Sequence, residues 1–412
     1  MVEKRTPITV EEALKRVLAN QKNGGMEYVD ISAAYGRVLA KGLIADHDVP
    51  SFDRSPYDGF AIRSVDTEKA AADNPISFNV VGHIGAGSVF QQTLREKEAV
   101  RIMTGAAIPK GADAVIMLED TETIDNDKIN IKQQMKHHQN ISFQGEDVKK
   151  GSLLVSKGKV INPGIIALLA TFGYKQVPVS KKPVIGVLAT GSELLEVDQE
   201  LEEGKIRNSN AYMIMSQIER SGAVAKYYGQ FSDQLNVCIA QMEKAMKDVD
   251  YIITTGGVSV GDFDLLPEIY DHFDARVLFN KIKMRPGSVT TVAQLNDQLL
   301  FGLSGNPSAC YVGFELFVKP VIDRFICRDK VGMNKEKATL STEFPKPNLF
   351  DRFIRGKYEF RGGQLVVAPS GKDKSNMVHS LADANCLINL PGRPNGYSLG
   401  EEVDIYLLDN HW

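Results

Sequence analysis

Between residues 181 and 330 the chain alternates short apolar runs with helix-length segments, and no other feature limits the fold as tightly. The apolar runs are PVIGVLAT, AVAKYYG, DYIITTG, RVLFNKI and QLLFGLS. Helical segments fall at 210–221, 234–248, 263–273 and 307–327, with Ser209 and Ser232 or Asp233 as caps. Strands apolar throughout and separated by helices are buried on both faces, which implies a doubly wound, parallel α/β sheet. Such a sheet binds ligands outside the carboxyl ends of its strands.

The flanks have a different texture. Thr9 and Glu12 form a capping box before an apolar stripe of Ala13, Leu14, Val17 and Leu18. Asp30 is a candidate cap for a second helix running to about Ala40. From about Pro50, strand-like runs (GFAIRS, ISFNVVGHI, AVRIM, DAVIML, KINIK) follow one another between turns. Asn162-Pro163 starts a helix that Gly173 stops. The charged stretch CRDKVGMNKEK (327–337) reads as a linker, and the tail is strand-rich again, as a small β domain or barrel. The expected division is an N-terminal α+β domain of 1–48 plus 145–180 and a β-rich module of 49–144 inserted into it. An α/β domain of 181–330 and a C-terminal β domain of 335–412 follow.

With 412 residues, several cores are expected rather than one. A net charge of −4 leaves no basic footprint for nucleic acid. No apolar run has the ~18 residues of a membrane helix, and MVEKRTPITVEEALKRV is charged where a signal peptide is apolar, so no membrane partner and a cytoplasmic location are expected. The four cysteines are far apart, without a C-x-x-C pair, and read as buried free thiols.

The strongest local feature is DYIITTGGVSVGDFD (250–264), a strand running through glycines into a helix. Gly256, Gly257 and Gly261 allow close backbone approach, and the following amides suit a phosphate. Gly257 to Gly261 also reads G-x-S-x-G, the nucleophile elbow of a serine hydrolase at Ser259. Downstream, however, only His272, in the adjacent helix, and His379 and His411, in the tail, are available as base. Thr190, Gly191 and Glu193 follow the first strand, Asp233 the second, and Asp262 and Asp264 the third. Carboxylates along one rim suit Mg²⁺, which takes oxygen ligands and substrate phosphates. Lys281, Arg285 and Ser288 follow the fourth strand, and Gly305, Asn306 and Pro307 the fifth, adding positive charge and turns at that rim. His137-His138 reads as solvated and Asp46-His47-Asp48 as a turn.

The ordered set TGSEL, IRNSN, TTGGVSVGDFD, KMRPGS and LSGNPSA resembles the molybdopterin-binding domain of the MoeA/gephyrin E-domain family. The segments at 31–67, 101–120 and 145–154 resemble the family's N-terminal region, and the tail its C-terminal domain. The resemblance therefore spans the chain and implies four domains, an α/β multidomain fold with a barrel-like C-terminal domain. It implies insertion of molybdenum into adenylylated molybdopterin from molybdate, with release of AMP. It also implies a homodimer with a shared active site and a molybdopterin adenylyltransferase as a partner. Carried over position by position, the catalytic groups are Asp58 of SPYDGFA, Thr104 of MTGAAIP, Asp147 of GEDVKKG, and the rim carboxylates Glu193, Asp233 and Asp264, which would hold Mg²⁺. The substrate-binding set is Thr190, Gly191, Ser209, Gly256, Gly257, Ser259, Gly261, Lys281, Arg285, Ser288, Gly305, Asn306 and Pro307. Two departures alter loop shape only: Ser-Pro-Tyr-Asp-Gly stands where the family often has Ser-Ala-Met-Asp-Gly, and Ser304 where proline is common. A gephyrin-like scaffold is the alternative from a different class.

Overall fold

The computed structural model describes residues 6–125, 127–231, 234–257 and 265–408. They form two compact units, one drawn from Met1–Lys41, Lys157–Ile166 and Lys175–Trp412, the other from Gly42–Ser156 and Ala167–Tyr174.

The larger unit holds the expected α/β sheet. Its six strands run in the order Val224–Gln230, Val184–Ala189, Tyr251–Thr255, Gln298–Leu303, Thr291–Leu295, Arg276–Phe279. The first four are mutually parallel. Thr291–Leu295 is antiparallel to both its neighbours, so Arg276–Phe279 again points the way of the first four. The sheet is therefore mixed, and the antiparallel strand was absent from the sequence reading. Its hairpin turns at Asn296-Asp297, with Asn296 in the left-handed region at φ 50°.

Alternating residues cover both faces. Ile185, Val187, Tyr251, Ile253, Leu299 and Phe301 join one core with Ala211, Ile214 and Ile218 of the helix Ser209–Arg220. Leu188, Ile252 and Leu300 join the other with Cys238 and Met242 of Leu235–Asp248 and Ile269 of Leu266–His272. A sheet sandwiched in this way needs central strands buried along their length, as Val184–Ala189, Tyr251–Thr255 and Gln298–Leu303 almost wholly are, whereas the edge strand Val224–Gln230 carries Lys226 and Gln230 and is partly exposed. Cys238, Cys310 and Cys386 are buried free thiols and Cys327 a half-buried one, and burial pushes the Cys386 thiol up to about 12.

The same unit contains a closed five-stranded barrel. Asp351–Arg361 neighbours Gln364–Pro369, then Lys335–Leu340, Glu402–Leu407 and Cys386–Leu390, which returns to Asp351–Arg361. Leu340, Ile354, Val367, Ile388 and Ile405 fill it. The short strand Met284–Arg285 adds to its edge, parallel to Asp351-Arg352.

The stretch read as a linker is tied down. The buried Asp323 carboxylate accepts from Lys319 Nζ at 2.8 Å and from the Gly332 N–H at 2.9 Å, and Arg328 lies 3.1 Å from its other oxygen. Nor does the second N-terminal helix form. Asp30 caps a single 3₁₀ turn, Ile31–Ala33, with its Oδ1 accepting from the Ser32 N–H at 3.0 Å. Gly36 then takes φ 75°, and Val38 and Leu39 pair in extended form with Val160 and Val179. The strand Met26–Asp30 pairs with Gln176–Ser180 in the same unit.

The second unit carries a six-stranded sheet in the order Ala114–Met117, Gly59–Ile62, Glu98–Ile102, Ile76–Ile84, Lys128–Ile131, Thr121–Asp125. Phe60, Ile62, Phe78, Ile116 and Ile129 form a core on one side, and Ala61, Val100, Ile102 and Val115 on the other. No helix among the described residues is long and apolar enough to cross a membrane.

Candidate functional site

The carboxyl ends of the four parallel strands lie side by side, so Gln230, Ala189, Thr255 and Leu303 mark one rim. What leaves the rim is backbone on backbone. Thr190 donates through both its N–H (3.0 Å) and its Oγ1 (3.2 Å) to Thr255 O. Gly256 follows at φ 90°, where a Cβ would fall 2.7 Å from Thr190 O. Gly257 is also left-handed, at φ 65°. Only glycine fits such an approach without strain. Gly305 lies beside them, close enough that a Cβ there would touch the Gly256 Cα at 3.6 Å. Thus three consecutive turns of the rim stack with almost no side chain between them.

The Gly256 N–H is committed to Leu303 O at 2.9 Å, and the Asn306 N–H to Ser304 Oγ at 3.2 Å. The Gly256 amide is thus spent inside the sheet, and what Gly256 offers at the rim is close approach. Ser304, in place of a proline, supplies the hydroxyl that closes the turn before the helix at Pro307.

Glu193 is exposed at the rim, with its carboxylate folded back over Gly191: a Cβ on Gly191 would lie 2.4 Å from Glu193 Oε2. Gln230 donates through Nε2 to the Gly191 carbonyl. Asp233, Ser259, Gly261 and Asp264 lie outside the described residues. No cluster of three or more metal-competent side chains occurs among the described residues.

Helix Ser209–Arg220 borders the rim. Its cap is Asn208, not the expected Ser209: Asn208 Oδ1 accepts from the Ala211 N–H at 3.2 Å. The Asn208 carboxamide has a second partner, donating at 2.9 Å to the Tyr227 hydroxyl. Tyr227 donates in turn to Glu196 at 2.7 Å, and Tyr212 donates to the other Glu196 oxygen at 3.3 Å. Burial, then the hydrogen bond to Glu196 and its charge, hold the Tyr227 hydroxyl well above its usual range. Ser209 itself is exposed. Within the same first turn, the buried Asn210 donates through Nδ2 to Gly305 O at 2.7 Å. Sequence reading missed Asn208, Asn210, Tyr227 and Gln230; Asn208 and Asn210 were visible in IRNSN but carried no cue to their partners.

Lys281 and Arg285 are exposed on the segment that leaves Arg276–Phe279 at the same rim. Their backbone is fixed on both sides. Lys281 O accepts from the Ile8 N–H at 3.1 Å, and Arg285 lies on the strand that edges the barrel. The Arg285 guanidinium stands 5.9 Å from the Phe350 ring centre. Ser288 O accepts from the Ile282 N–H at 2.9 Å, folding this segment into a loop.

In the second unit, Asp58 leads into Gly59–Ile62, and Thr104 follows Glu98–Ile102, the neighbouring strand. Asp58 Oδ1 accepts from the Thr104 N–H at 2.7 Å and from Thr104 Oγ1 at 2.8 Å. These two bonds hold the carboxyl below its ordinary value. Asp147 is exposed, its N–H donated to Val49 O at 3.0 Å. His137 is not simply solvated: its Nδ1 lies 2.7 Å from Asp113, which also accepts from the Ser64 N–H and hydroxyl. With the carboxylate in the middle, this trio lacks the serine-to-histidine contact that nucleophilic catalysis requires.

Comparison with known proteins adds three matches in chain order. Residues 8–173 match the MoeA N-terminal region (domain I and II), 186–324 a probable molybdopterin binding domain, and 337–408 the MoeA C-terminal region (domain IV). A Bacillus subtilis (strain 168) protein named molybdopterin molybdenumtransferase is 54% identical over 411 residues, covering 99% of this chain and 96% of that protein. One of the same name from Staphylococcus aureus (strain COL) is 50% identical over 410 residues, covering 100% and 98%. The crystal structure of a molybdopterin biosynthesis moeA protein from Pyrococcus horikoshii OT3 superimposes with a TM-score of 0.82 at 32% identity, covering 98% of this chain and 100% of that one.

Proposed function

The chain belongs to the MoeA family, enzymes of molybdenum cofactor biosynthesis, and on that premise we propose the reaction it carries out: molybdenum insertion into adenylylated molybdopterin, from molybdate, with release of AMP. The observation that carries this reading is the rim itself. Thr190, Gly256 and Gly305 bring bare backbone from three adjacent strands to one place, with the Glu193 carboxylate beside them.

A pterin carrying a pyrophosphate and two sulfurs is electron-rich, and molybdate is an oxyanion. The chain's task is to bring these together. In this reading Thr190, Gly191, Gly257, Ser259 and Gly261 line the path of the pterin phosphate, with Gly256 leaving room for it. Ser209, Ser288, Gly305, Asn306 and Pro307 shape the remaining wall. Lys281 and Arg285 draw molybdate in; both are exposed on a braced backbone. Oxygen donors of the kind Glu193, Asp233 and Asp264 offer fit Mg²⁺, and Glu193 is already folded over a residue without a Cβ. Bound there, Mg²⁺ would neutralise charge on the pyrophosphate as its bond breaks. Asp58, Thr104 and Asp147 orient groups and handle protons, supplied to this rim by a second copy of the chain in a homodimer. An adenylyltransferase would deliver the adenylylated pterin.

The test is incubation of the purified protein with adenylylated molybdopterin, molybdate and Mg²⁺, with AMP measured over time. AMP release that requires molybdate is the expected result. Absence of AMP, with substrate shown intact, overturns the reading.

A further inference from the structure

We propose that Asn210 is a positioning residue that sets the place of the Gly305-Asn306 turn and so governs affinity for the pterin substrate; this deepens the function proposed above and rests on it. The residue stands in the first turn of Ser209–Arg220 and is 9% exposed. Its Nδ2 donates to Gly305 O at 2.7 Å, while its Oδ1 is buried with no hydrogen-bond partner among the described residues. A buried acceptor without a partner carries a cost that a structure keeps only for a reason. An apolar side chain of this size would fill the space without that cost. What it would lose is the donor to Gly305.

That donor matters because, among the described residues, no other group donates to the Gly305 carbonyl. Gly305 meets Gly256 through backbone alone, whereas Gly256 meets Thr190 through both its carbonyl and its Oγ1. Thr190 Oγ1, donating to Thr255 O at 3.2 Å, ties the first two turns together. On the other side the chain is fastened from the barrel: the Ser308 N–H donates to Ser375 O at 3.0 Å, and Ser308 Oγ to Met377 O at 2.7 Å. The turn thus hangs between two anchors, one being a single carboxamide. The helix bearing it is fixed by Asn208, Tyr227 and Glu196, so the carboxamide is presented from a rigid base. Reversing its polarity without changing its shape would set a carboxylate against the Gly305 carbonyl and push the turn away.

The experiment compares the full-length wild type with Asn210→Asp and Asn210→Ala, measuring kcat, KM for adenylylated molybdopterin, KM for molybdate and Tm. The KM for the pterin should rise on the order of tenfold in Asn210→Ala, the loss of one hydrogen bond, and further in Asn210→Asp. KM for molybdate and kcat should stay within about twofold, because Lys281 and Arg285 are held by other contacts. A role in stability alone would lower Tm and leave the pterin KM unchanged, and that outcome overturns the proposal. If Asn210→Asp does not fold, Asn210→Ala decides. A wild type that releases no AMP overturns the functional reading and this role with it; an active wild type with an unaltered pterin KM in Asn210→Ala overturns this role alone.

Discussion

The Asp58 carboxylate takes two hydrogen bonds on one oxygen from a single residue, Thr104, which gives both its backbone N–H and its hydroxyl. The second oxygen accepts no hydrogen bond among the described residues, and the pair keeps the carboxyl ionised further into acid than a free aspartate. Thr104→Val removes the hydroxyl bond and retains the backbone one. The Asp58 pKa should rise toward its ordinary value, with the acid limb of turnover moving to higher pH. Carboxyl-detected NMR titration checks the first effect directly. The sign follows from linkage: a carboxyl with a depressed folded pKa stabilises above its unfolded value, and that contribution is lost as pH falls through the folded one. An unmoved Asp58 titration would count against the assignment of cause.

Gly256→Ala tests the stacked turns. Its φ of 90° and a Cβ at 2.7 Å from Thr190 O and 2.8 Å from Thr190 Oγ1 forbid any side chain. A loss of about 1–3 kcal/mol in urea unfolding is expected from the backbone conformation, along with loss of AMP release.

Arg220→Met tests the interior. Glu315 is fully buried on the π-helical turn Phe314–Val318, paired with Arg220 and accepting from Gln217 at 2.6 Å. Removing the cation leaves the Glu315 charge uncompensated, a loss of roughly 3–5 kcal/mol. Chemical denaturation measures it, and a change below about 1 kcal/mol would contradict the pairing.

Asp323→Ala should free the segment 327–334, which the carboxylate holds through Gly332 and Arg328. Limited proteolysis should then cut within 327–334 where the wild type resists.

A mixture of Asp58→Asn and Glu193→Gln protomers should regain part of the activity each lacks alone, if the homodimer shares its sites. No recovery, with subunit exchange proven by mass spectrometry, would sink the shared-site proposal.

The α/β architecture was legible because parallel strands such as Ile185–Leu188 and Ile252-Ile253 are covered on both faces and so cannot carry polar residues. The barrel strands were legible from their turns. Thr291–Leu295 was not, since its start runs on from the Lys281–Ser288 loop without a break in texture. The second N-terminal helix was misread because the capping signal at Asp30 starts only a 3₁₀ turn, and Gly36 and long-range pairing to Val160 and Val179 set the backbone that follows. At the rim, the glycines and Glu193 announced themselves, whereas Asn210 and Gln230 owe their roles to carbonyls 95 and 39 residues away in sequence. Local pattern carries no record of such partners.

The strand Met284–Arg285 belongs to the edge of the barrel although it is encoded well before it. A truncated polypeptide stopping near residue 330 would keep every strand of the central sheet yet leave the cationic loop without its outer support. Excising the middle third as a stand-alone module should therefore preserve a folded body while loosening the Lys281–Ser288 loop, which limited proteolysis would register.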